Sequence, residues 1–344
     1  MQKRISVVIL FLVAGFACSA RAGQNAAWRD PSPHTVSFVT VADAVDLEVL
    51  DWGGRGRDVV LLAGSGASAH VFDDLAPKLT DRYHVRAITR RGHGRSSHPQ
   101  SGYDEQQLAN DLLQAINRLR LDRPILVGHS AAGGEMTTLT RQHQDLPAGL
   151  VYMDAIGDLE DDPPADAEWL ALQQKLPPGV NPSPSCDPLD RSSFEAFRTT
   201  WGCRIGFTVP LAELHNIFDD TDGRVGAARM SDSAFRAMGQ GQAFRKDYSN
   251  IRVPVLALLQ YASTAEEYLA ATGYHPKTDA EREAVERFIG RSNVVFGRWI
   301  TKLTRQVPRA RVVNLGPVGH FLFLTREDAV LRELRAFLAT VPNR

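Results

Sequence analysis

One serine of the chain lies in a setting that suits nucleophilic chemistry. Residues 128–133 read Gly-His-Ser-Ala-Ala-Gly and directly follow the apolar run of residues 124–127. This pattern predicts a sharp strand-to-helix turn that exposes Ser130, because small neighbouring residues let the backbone bend tightly. A serine hydroxyl is a poor nucleophile at neutral pH, so such chemistry needs a general base beside it. The alternative is that Ser130 only caps the helix that follows.

Ala132 departs from the pattern that such turns usually follow, Gly-x-Ser-x-Gly. It stands where the last glycine belongs, and Gly133 and Gly134 follow at once. Since the β-carbon of alanine is the smallest possible intrusion into a tight turn, we interpret Ala132 as a tolerated variant.

A glycine-containing loop upstream suits the stabilisation of negative charge. Residues 59–66 form a short apolar run, rich in β-branched residues, that ends Gly-Ser-Gly, and a helical stretch is predicted over residues 70–79. In an ester hydrolase the tetrahedral intermediate carries an oxyanion, which needs two fixed backbone N–H donors, one after the nucleophile and one from such a loop. The candidate donors are Ser65 and Ala131. An ordinary strand-to-helix glycine turn is the alternative.

A third segment shows which family these motifs resemble. Residues 85–96 predict a strand that runs into a glycine-spaced basic loop. Combined with the turn at Ser130, it resembles the Asp-x-Arg-Gly-x-Gly-x-Ser loop of the α/β-hydrolase superfamily, with Thr89 in place of the aspartate. A second departure is Ala63, where a histidine commonly precedes the glycine. The resemblance covers residues 36–338 and implies the α/β-hydrolase fold: a mostly parallel eight-stranded sheet, helices on both faces and a helical cap inserted after strand 6.

The resemblance assigns the general base to the C-terminal part of the chain. There the superfamily carries a late strand, a loop ending in Gly-His and a C-terminal helix, which match residues 310–315, His320 and residues 326–338. His320 is therefore predicted to be the catalytic base. A histidine taken at random more often serves as a surface or packing residue. The chain has nine others: His34, His70, His84, His93, His98, His129, His143, His215 and His275.

The catalytic acid departs from the common pattern of the superfamily. In most relatives it follows the seventh strand, here residues 253–259, but the corresponding position is Ser263, which cannot stabilise an imidazolium. The sixth strand ends in Asp154, where some members, including certain haloalkane dehalogenases, place the acid. We predict Asp154 as the acid. Glu266 and Glu267 are the rivals, and both could simply be first-turn helix residues favoured by the helix dipole.

The N-terminal residues predict export. Residues 1–22 combine a basic start at Lys3 and Arg4, an apolar run, and a small-x-small cleavage pattern at Ala20 and Ala22, which is typical of a secretory signal peptide. The alternative is a single membrane anchor, for which the apolar run is short, since a span needs about twenty residues. We expect a periplasmic or secreted protein with no stable membrane insertion after the signal is cleaved.

Charge and cysteine content limit the partners of the mature chain. Without residues 1–22 the count of Lys and Arg falls from 39 to 36 against 40 Asp and Glu, a formal charge of −4. This balance does not favour nucleic acid or an anionic membrane as a partner. Export also leaves two cysteines in a compartment that permits disulfides. We predict a bond between Cys186 and Cys203, with two free thiols as the alternative.

The order of elements predicts one catalytic domain with an insertion. Strand and helix patterns occupy residues 23–155 and 251–344, whereas residues 156–250 read as a cap over the active-site edge of a parallel sheet. A second helical excursion is predicted over residues 265–305. The cap helices are predicted over residues 166–176, 193–201, 211–218 and 231–238. The aromatic residues that could line a pocket under the cap, or pack its own core, are Trp169, Phe197, Trp201, Phe207 and Phe218.

These assignments predict a serine hydrolase for a small-molecule acyl substrate, with a carboxylic ester as the expected bond. Ser130 attacks the carbonyl carbon, His320 transfers the proton and Asp154 orients the histidine. No cofactor is implied, and no Cys/His spacing indicates a metal site. The alternatives are an acyltransferase, a carbon–carbon bond hydrolase or a cofactor-free peroxidase at the same site, and a non-catalytic binding module. Epoxide hydrolases and dehalogenases of this fold need a carboxylate nucleophile, so Ser130 disfavours both.

Overall fold

The computed structural model describes residues 28–157, 163–177, 186–230 and 246–342. The predicted signal peptide, residues 1–22, and the cap helix predicted over residues 231–238 lie outside the described residues. Among the residues that are described, no helix combines the length and the apolar character that a membrane span needs.

An eight-stranded sheet forms the centre of the molecule. Its strands are β1 (Thr35–Ala42), β2 (Val45–Gly53), β3 (Asp58–Leu62), β4 (His84–Ile88), β5 (Ile125–His129), β6 (Gly149–Met153), β9 (Val255–Leu259) and β10 (Arg311–Asn314). They lie in the order β1, β2, β4, β3, β5, β6, β9, β10. All neighbours from β4 to β10 pair in parallel, and β2 runs antiparallel to both of its neighbours. This arrangement confirms the predicted mostly parallel sheet.

Helices and short 3₁₀ turns connect the strands. The α-helices are α1 (Glu105–Arg118), α2 (Ala132–Gln142), α3 (Pro163–Gln174), α4 (Phe194–Ile205), α5 (Leu211–Ile217), α6 (Ala265–Thr272), α7 (Asp279–Gln306), α8 (Leu322–Thr325) and α9 (Glu327–Leu338). Two 3₁₀ turns, Ala69–Phe72 and Ala76–Leu79, replace the single helical stretch predicted over residues 70–79. Pro77 has no N–H to donate, so an α-helical ladder of hydrogen bonds cannot run through this segment.

Apolar cores cover both faces of the sheet, because side chains alternate along its buried strands. Val60 and Leu62 of β3 pack in the core that holds the apolar faces of α1, α2 and α7. Val59 and Leu61 of the same strand point into the opposite core, with the 3₁₀ turns and α9. The helices thus cover both faces, as the sequence predicts, and they fix the strand ends that carry the site.

The segment between β6 and β9, here called the insertion, contains a β-hairpin that the sequence analysis did not predict. The hairpin pairs β7 (Phe218–Thr221) with β8 (Arg224–Ala228). Asp222 and Gly223 between them have positive φ angles of 53° and 80°. An Asp-Gly pair accepts this conformation readily and favours a tight hairpin turn. The described part of the insertion is therefore helical with one added hairpin.

The insertion has an apolar core of its own. Phe194, Phe197 and Leu214 are buried at its centre. Cys186 and Cys203 are bonded to each other, which ties the chain ahead of α4 to that helix. These contacts join the described residues around α4 and α5 into one packed unit.

Candidate active site

Ser130 lies at the tight turn between β5 and α2. Its φ angle of 53° is in the left-handed region, which a non-glycine residue adopts only where its surroundings enforce it. Its N–H donates a hydrogen bond of 3.1 Å to the carbonyl of Met153, the last residue of the neighbouring strand β6. This is the strand-to-helix turn that the sequence predicts, and it holds the serine at the carboxyl edge of the sheet.

Small residues leave room for this turn. A β-carbon on Gly64 would lie 2.9 Å from the β-carbon of Ser130, and one on Gly133 would lie 2.1 Å from the carbonyl oxygen of Ala155. Ala132 is fully buried in the core between the sheet and α2. The turn therefore accommodates alanine where glycine is usual, whereas the glycines at 64 and 133 have no space for a side chain.

Three side chains form a continuous chain of hydrogen bonds at this edge. Nε2 of His320 lies 2.8 Å from Oγ of Ser130, and Nδ1 of His320 lies 2.6 Å from Oδ2 of Asp154. An ionised carboxylate can only accept, so Nδ1 carries a proton and Nε2 is left to accept one from the serine. The structure thus brings together the predicted nucleophile, base and acid.

Asp154 is held by the backbone of two strands. It follows β6 with a φ angle of 47°, and its N–H donates a hydrogen bond of 2.7 Å to the carbonyl of Leu258 in β9. Its Oδ2 also accepts a hydrogen bond of 3.2 Å from the amide of Gln260. Gln260 follows β9, about a hundred residues after β6, so no local sequence pattern indicates this contact.

The rival glutamates lie at the start of α6. Thr264 accepts a hydrogen bond of 3.1 Å from the N–H of Glu267, and the carboxylate of Glu267 accepts one of 2.7 Å from the N–H of Ser263. This pair resembles a capping box, with the glutamate bound one residue before the N-cap, and it satisfies two backbone donors at the helix start. Glu266 is exposed in the same turn. Among the described contacts neither glutamate reaches His320, so their placement fits the helix-start alternative.

The two candidate oxyanion donors border the same cavity as the serine and the histidine. Ser65 and Ala131 both line it, together with Ser130 and His320. Among the described residues, neither the N–H of Ser65 nor that of Ala131 forms a backbone hydrogen bond. Both N–H groups therefore lack a described backbone partner at the cavity, as the predicted oxyanion role requires.

A buried ion pair fixes these two donor segments relative to each other. Arg90 donates a hydrogen bond of 3.0 Å to Glu135 of α2 and one of 3.1 Å to the carbonyl of Ala63, just before the loop of Ser65. Both charged side chains are buried. Because the loss of one partner would leave an uncompensated buried charge, this pair holds loop and helix firmly together.

His129 belongs to the site although the sequence analysis left it among the unassigned histidines. It is completely buried next to Phe321, Phe323 and the ring of His320. Burial lowers the pKa of His129 well below its usual value, and the nearby His320 adds to this effect. The imidazole is therefore neutral. The signal available in the sequence was its position immediately before Ser130.

Two cavities meet at His320. The larger measures about 710 Å³ and extends between β6, α3 and α7. The smaller measures about 530 Å³ and extends under α4 and α5. Both are bordered by Ser65, Gly319 and His320. A substrate whose reacting carbonyl lies at Ser130 therefore has separate space for the groups on its two sides.

The five aromatic residues named from the sequence divide between the cavities and the core of the insertion. Trp169 lines the larger cavity. Trp201 and Phe207 line the smaller one. Phe197 packs inside the insertion, and Phe218 packs against it. Other aromatic residues of the larger cavity come from the second helical excursion and the end of β9: Tyr261, Tyr268, Phe288, Phe296 and Trp299.

The chain is similar in sequence to several enzymes over a limited stretch. It is 31% identical over 123 residues to 2-(acetamidomethylene)succinate hydrolase from Mesorhizobium japonicum, which covers 36% of this chain and 44% of that protein. It is 36% identical over 107 residues to a non-heme haloperoxidase from Rhodococcus erythropolis, a match that covers 31% of this chain and 39% of that protein. A bifunctional esterase/perhydrolase from Acinetobacter calcoaceticus is 32% identical over 127 residues, 36% of this chain and 46% of that one. The chain thus spans less than half the length of these relatives.

Solved structures share the fold over a greater length. The crystal structure of E-2-(acetamidomethylene)succinate hydrolase superimposes with a TM-score of 0.64 at 21% identity, covering 89% of this chain and 100% of that one. The structure of an esterase from Exiguobacterium antarcticum superimposes with a TM-score of 0.56 at 18% identity, covering 89% of this chain and 100% of that one. The sequence model of the alpha/beta hydrolase family matches residues 59–333. Since this match spans most of the chain, the protein belongs to the alpha/beta hydrolase family.

Proposed function

We propose that the protein is an exported serine hydrolase that cleaves a carboxylic ester. The observation that carries this proposal is the chain of hydrogen bonds from Asp154 through His320 to Ser130, with distances of 2.6 Å and 2.8 Å. Membership of a hydrolase family supports the proposal, and so does the presence of an esterase/perhydrolase among the relatives.

The reaction begins with a nucleophilic attack. Oγ of Ser130 adds to the carbonyl carbon of the ester while Nε2 of His320 takes the serine proton. The charge that develops on the imidazolium is stabilised by Asp154, which stays ionised. The carbonyl oxygen becomes an oxyanion, which the N–H groups of Ser65 and Ala131 bind.

The acyl-enzyme then forms and is hydrolysed. The tetrahedral intermediate collapses as His320 gives its proton to the leaving alkoxide, and the alcohol departs. A water molecule attacks the acyl group of Ser130 while His320 takes a proton from it. A second collapse returns the proton to Oγ of Ser130 and releases the carboxylic acid.

The size and lining of the two cavities favour, as substrate, a compact ester with an apolar group on each side of the carbonyl. The larger is bordered by aromatic residues such as Trp169, Phe296 and Trp299. The smaller is bordered by Val71, Trp201 and other apolar residues. Sites of this size and composition enclose small molecules. The substrate we propose is therefore a small-molecule ester.

Export is the second part of the proposal. The basic start, apolar run and cleavage pattern of residues 1–22 support it. The disulfide between Cys186 and Cys203 also supports it, because such bonds persist in oxidising compartments. Cell fractionation with N-terminal sequencing of the exported protein tests it. A mature chain that begins at residue 23 is expected, and retention of the full chain in the cytoplasm would contradict export.

The catalytic part is tested with p-nitrophenyl esters of graded chain length and a fluorophosphonate label. We expect hydrolysis by the wild type and a single adduct on Ser130. Ser130→Ala should lose activity by about 10⁴-fold or more, because members of such a triad act as a unit. Ser37→Ala, at an exposed residue of β1, is the matched control and should keep full activity. Labelling of another serine, with activity kept in Ser130→Ala, would overturn the assignment.

A peroxidase or perhydrolase activity is the competing function, because two of the relatives carry such names. In that reaction hydrogen peroxide instead of water attacks the acyl-enzyme. The same purified protein can be assayed for peracid formation from a carboxylic acid and hydrogen peroxide. If peracid formation exceeds ester hydrolysis at equal substrate concentration, peroxide is the preferred acceptor and the ester proposal is wrong.

A further inference from the structure

Four side chains outside the active site converge on one point. Asp30 and His34 come from the segment before β1, and His70 and Asp73 belong to the first 3₁₀ turn and its C-terminal cap. One ligand-type atom from each side chain lies within 4.8 Å of every other. The side chain of His34 is 1% exposed and that of Asp73 is 4% exposed. The side chain of Asp30 is 19% exposed, so the cluster is a set of nitrogen and oxygen donors that is buried except at Asp30.

The distances within the cluster fit tetrahedral coordination of a metal ion. Nε2 of His34 lies 3.2 Å from Oδ2 of Asp30 and 3.2 Å from Oδ1 of Asp73. Nδ1 of His70 lies 3.1 Å from Oδ2 of Asp30 and 3.3 Å from Oδ2 of Asp73. Ligands about 2.0 to 2.1 Å from a tetrahedral ion are separated by about 3.3 Å. The two distances to Oδ2 of Asp30 are close to this edge length, and Asp73 approaches the two rings at similar distances through different carboxylate oxygens.

Several atoms of the cluster are buried without a hydrogen-bond partner. They include both ring nitrogens of His34, Oδ2 of Asp30 and Oδ1 of Asp73. An ordinary ion pair would direct the N–H of His34 along a line to a carboxylate oxygen. Here the atoms face each other at 3.2 Å without that alignment. His70 contacts Oδ2 of Asp73 at 3.3 Å. Buried polar groups normally have partners, so the unpaired atoms of Asp30, His34 and Asp73 favour a ligand between them.

We propose that Asp30, His34, His70 and Asp73 bind one zinc ion as a structural site. Two imidazoles and two carboxylates are donors that zinc accepts at four-coordinate sites. Calcium prefers six to eight oxygen ligands, and magnesium demands octahedral oxygen coordination. All four positions are filled by protein groups, so no position is left open for water or substrate. The ion has a structural role, separate from the chemistry at Ser130.

Glu48 supplies the outer contact that metal-bound histidines usually have. Its Oε1 lies 3.6 Å from Nε2 of His70, on the side of the ring away from the cluster. Glu48 is completely buried and is itself held by Thr89 and Asn216, which donate hydrogen bonds of 2.9 Å and 3.0 Å. A carboxylate that faces the far nitrogen favours the tautomer with its proton on Nε2, which leaves Nδ1 to bind metal.

The site joins two parts of the chain that are otherwise far apart in sequence. It ties the segment before β1 to the turn that follows Ser65, one of the candidate oxyanion donors. Loss of the ion is therefore expected to destabilise the fold and to loosen that loop.

The metal content of the untagged, exported protein tests the proposal. Mass spectrometry of the element content, after exhaustive dialysis against metal-free buffer, should give one zinc per chain. His34→Ala and Asp30→Asn should each retain less than a tenth of that amount. His84→Ala is the matched control, since His84 pairs with Asp51 at 2.8 Å and lies outside the cluster, and it should keep its zinc. Zinc K-edge absorption should show four nitrogen or oxygen ligands at about 2.0 Å.

A chelator experiment covers the case in which a variant fails to fold. Dipicolinate should lower the unfolding midpoint of the wild type by about 5 °C or more, and added zinc should restore it. Three results would overturn the proposal. One is protein that contains no zinc and takes up less than a tenth of an equivalent when zinc chloride is added. Another is full zinc content in folded His34→Ala. The third is calcium or magnesium in place of zinc.

Discussion

The ring of His129 donates a hydrogen bond of 3.0 Å from Nε2 to the backbone carbonyl of His320. A carbonyl can only accept, so Nε2 must carry the proton. The residue before the proposed nucleophile thus contacts the main chain of the proposed base. Because burial keeps His129 neutral, it adds no positive charge beside His320 when that residue is protonated during the reaction.

Replacing His129 should impair catalysis by displacing His320. His129→Phe keeps an aromatic ring but removes the donor, which leaves the carbonyl of His320 without its partner. The loss of this hydrogen bond should raise the activation free energy by about 1.4 kcal/mol, which corresponds to a roughly tenfold lower kcat. KM should change little, because His129 lines neither cavity. His143→Phe, at an exposed residue after α2, should stay within about twofold of wild type. Equal activity of His129→Phe and wild type would rule out this positioning role.

Asp154 should be essential for turnover. Asp154→Asn keeps the size of the side chain but removes the charge that orients and stabilises the His320 imidazolium. By analogy with the equivalent change in a serine protease, kcat should fall about 10⁴-fold. Steady-state kinetics on the best p-nitrophenyl ester, with circular dichroism as a check on folding, measures the effect.

The two glutamates at the start of α6 provide the controls for Asp154. Glu267 caps that helix and Glu266 is exposed, so Glu266→Gln and Glu267→Gln should remain near wild-type activity. A glutamine at 267 can still accept the hydrogen bond from the N–H of Ser263. If Asp154→Asn is nearly fully active and either glutamate variant is not, the acid lies in the loop after β9.

The two cavities should recognise opposite sides of the ester. Thr272→Trp would fill part of the larger cavity and Ile205→Trp part of the smaller one. Each methylene that is no longer buried costs roughly 0.8 kcal/mol of binding free energy. Each variant should therefore raise KM roughly tenfold for esters lengthened by two methylenes on the side of the carbonyl that its cavity holds. Two ester series, one lengthened in the acyl group and one in the alcohol, separate the effects. Identical responses of the two variants in both series would show that one cavity holds the whole substrate.

The disulfide should stabilise the insertion. Cys186 and Cys203 are separated by 17 positions in the sequence, and closing a loop of this length contributes about 3 kcal/mol in the chain-entropy model. The double variant Cys186→Ser/Cys203→Ser should therefore unfold at lower urea concentration than the wild type, and reduced wild type should match it. Peptide mapping that finds two alkylatable thiols in the native exported protein would contradict the bond.

Local patterns in the sequence were sufficient for the sheet and for Ser130. The buried strand β5 begins as a continuous apolar run, and the small residues around Ser130 permit the tight turn that follows it, so both are encoded within a few positions. Asp154 was chosen from the resemblance, because it ends the sixth strand, where some members of the superfamily carry the acid, and because Ser263 occupies the usual position. The hairpin turn at Asp222 and Gly223 had a clear local signal that the sequence analysis did not use.

Contacts between distant segments could not be predicted in the same way. Gln260 reaches Asp154 from another strand, and Nε2 of His129 reaches a backbone carbonyl that no motif describes. The cluster of Asp30 and His70 mixes carboxylates with histidines from two segments. The cluster therefore contains no Cys/His spacing that would mark it in the sequence.

His93 is a buried histidine whose burial should limit stability in acid. It lies in the loop after β4, and its Nδ1 donates a hydrogen bond of 3.0 Å to the carbonyl of Arg91. Burial lowers the pKa of His93 to about 3, and the charge of Arg90 adds to this effect. In the unfolded chain the pKa of a histidine is about 6.5. The folded state therefore binds this proton less well than the unfolded state.

The sign of the pH dependence follows from that difference. Above pH 6.5 His93 is neutral in both states and does not change the free energy of unfolding. For each unit by which the pH falls between 6.5 and 3, the titration of His93 lowers the free energy of unfolding by about 1.4 kcal/mol. His93→Phe removes this titration. From pH 7.5 to pH 4.5 its free energy of unfolding should therefore fall by about 2.7 kcal/mol less than that of the wild type. Urea unfolding at a series of pH values measures the difference, with the exposed His143→Phe as control. An equally steep loss of stability in His93→Phe would mean that His93 is not the residue responsible.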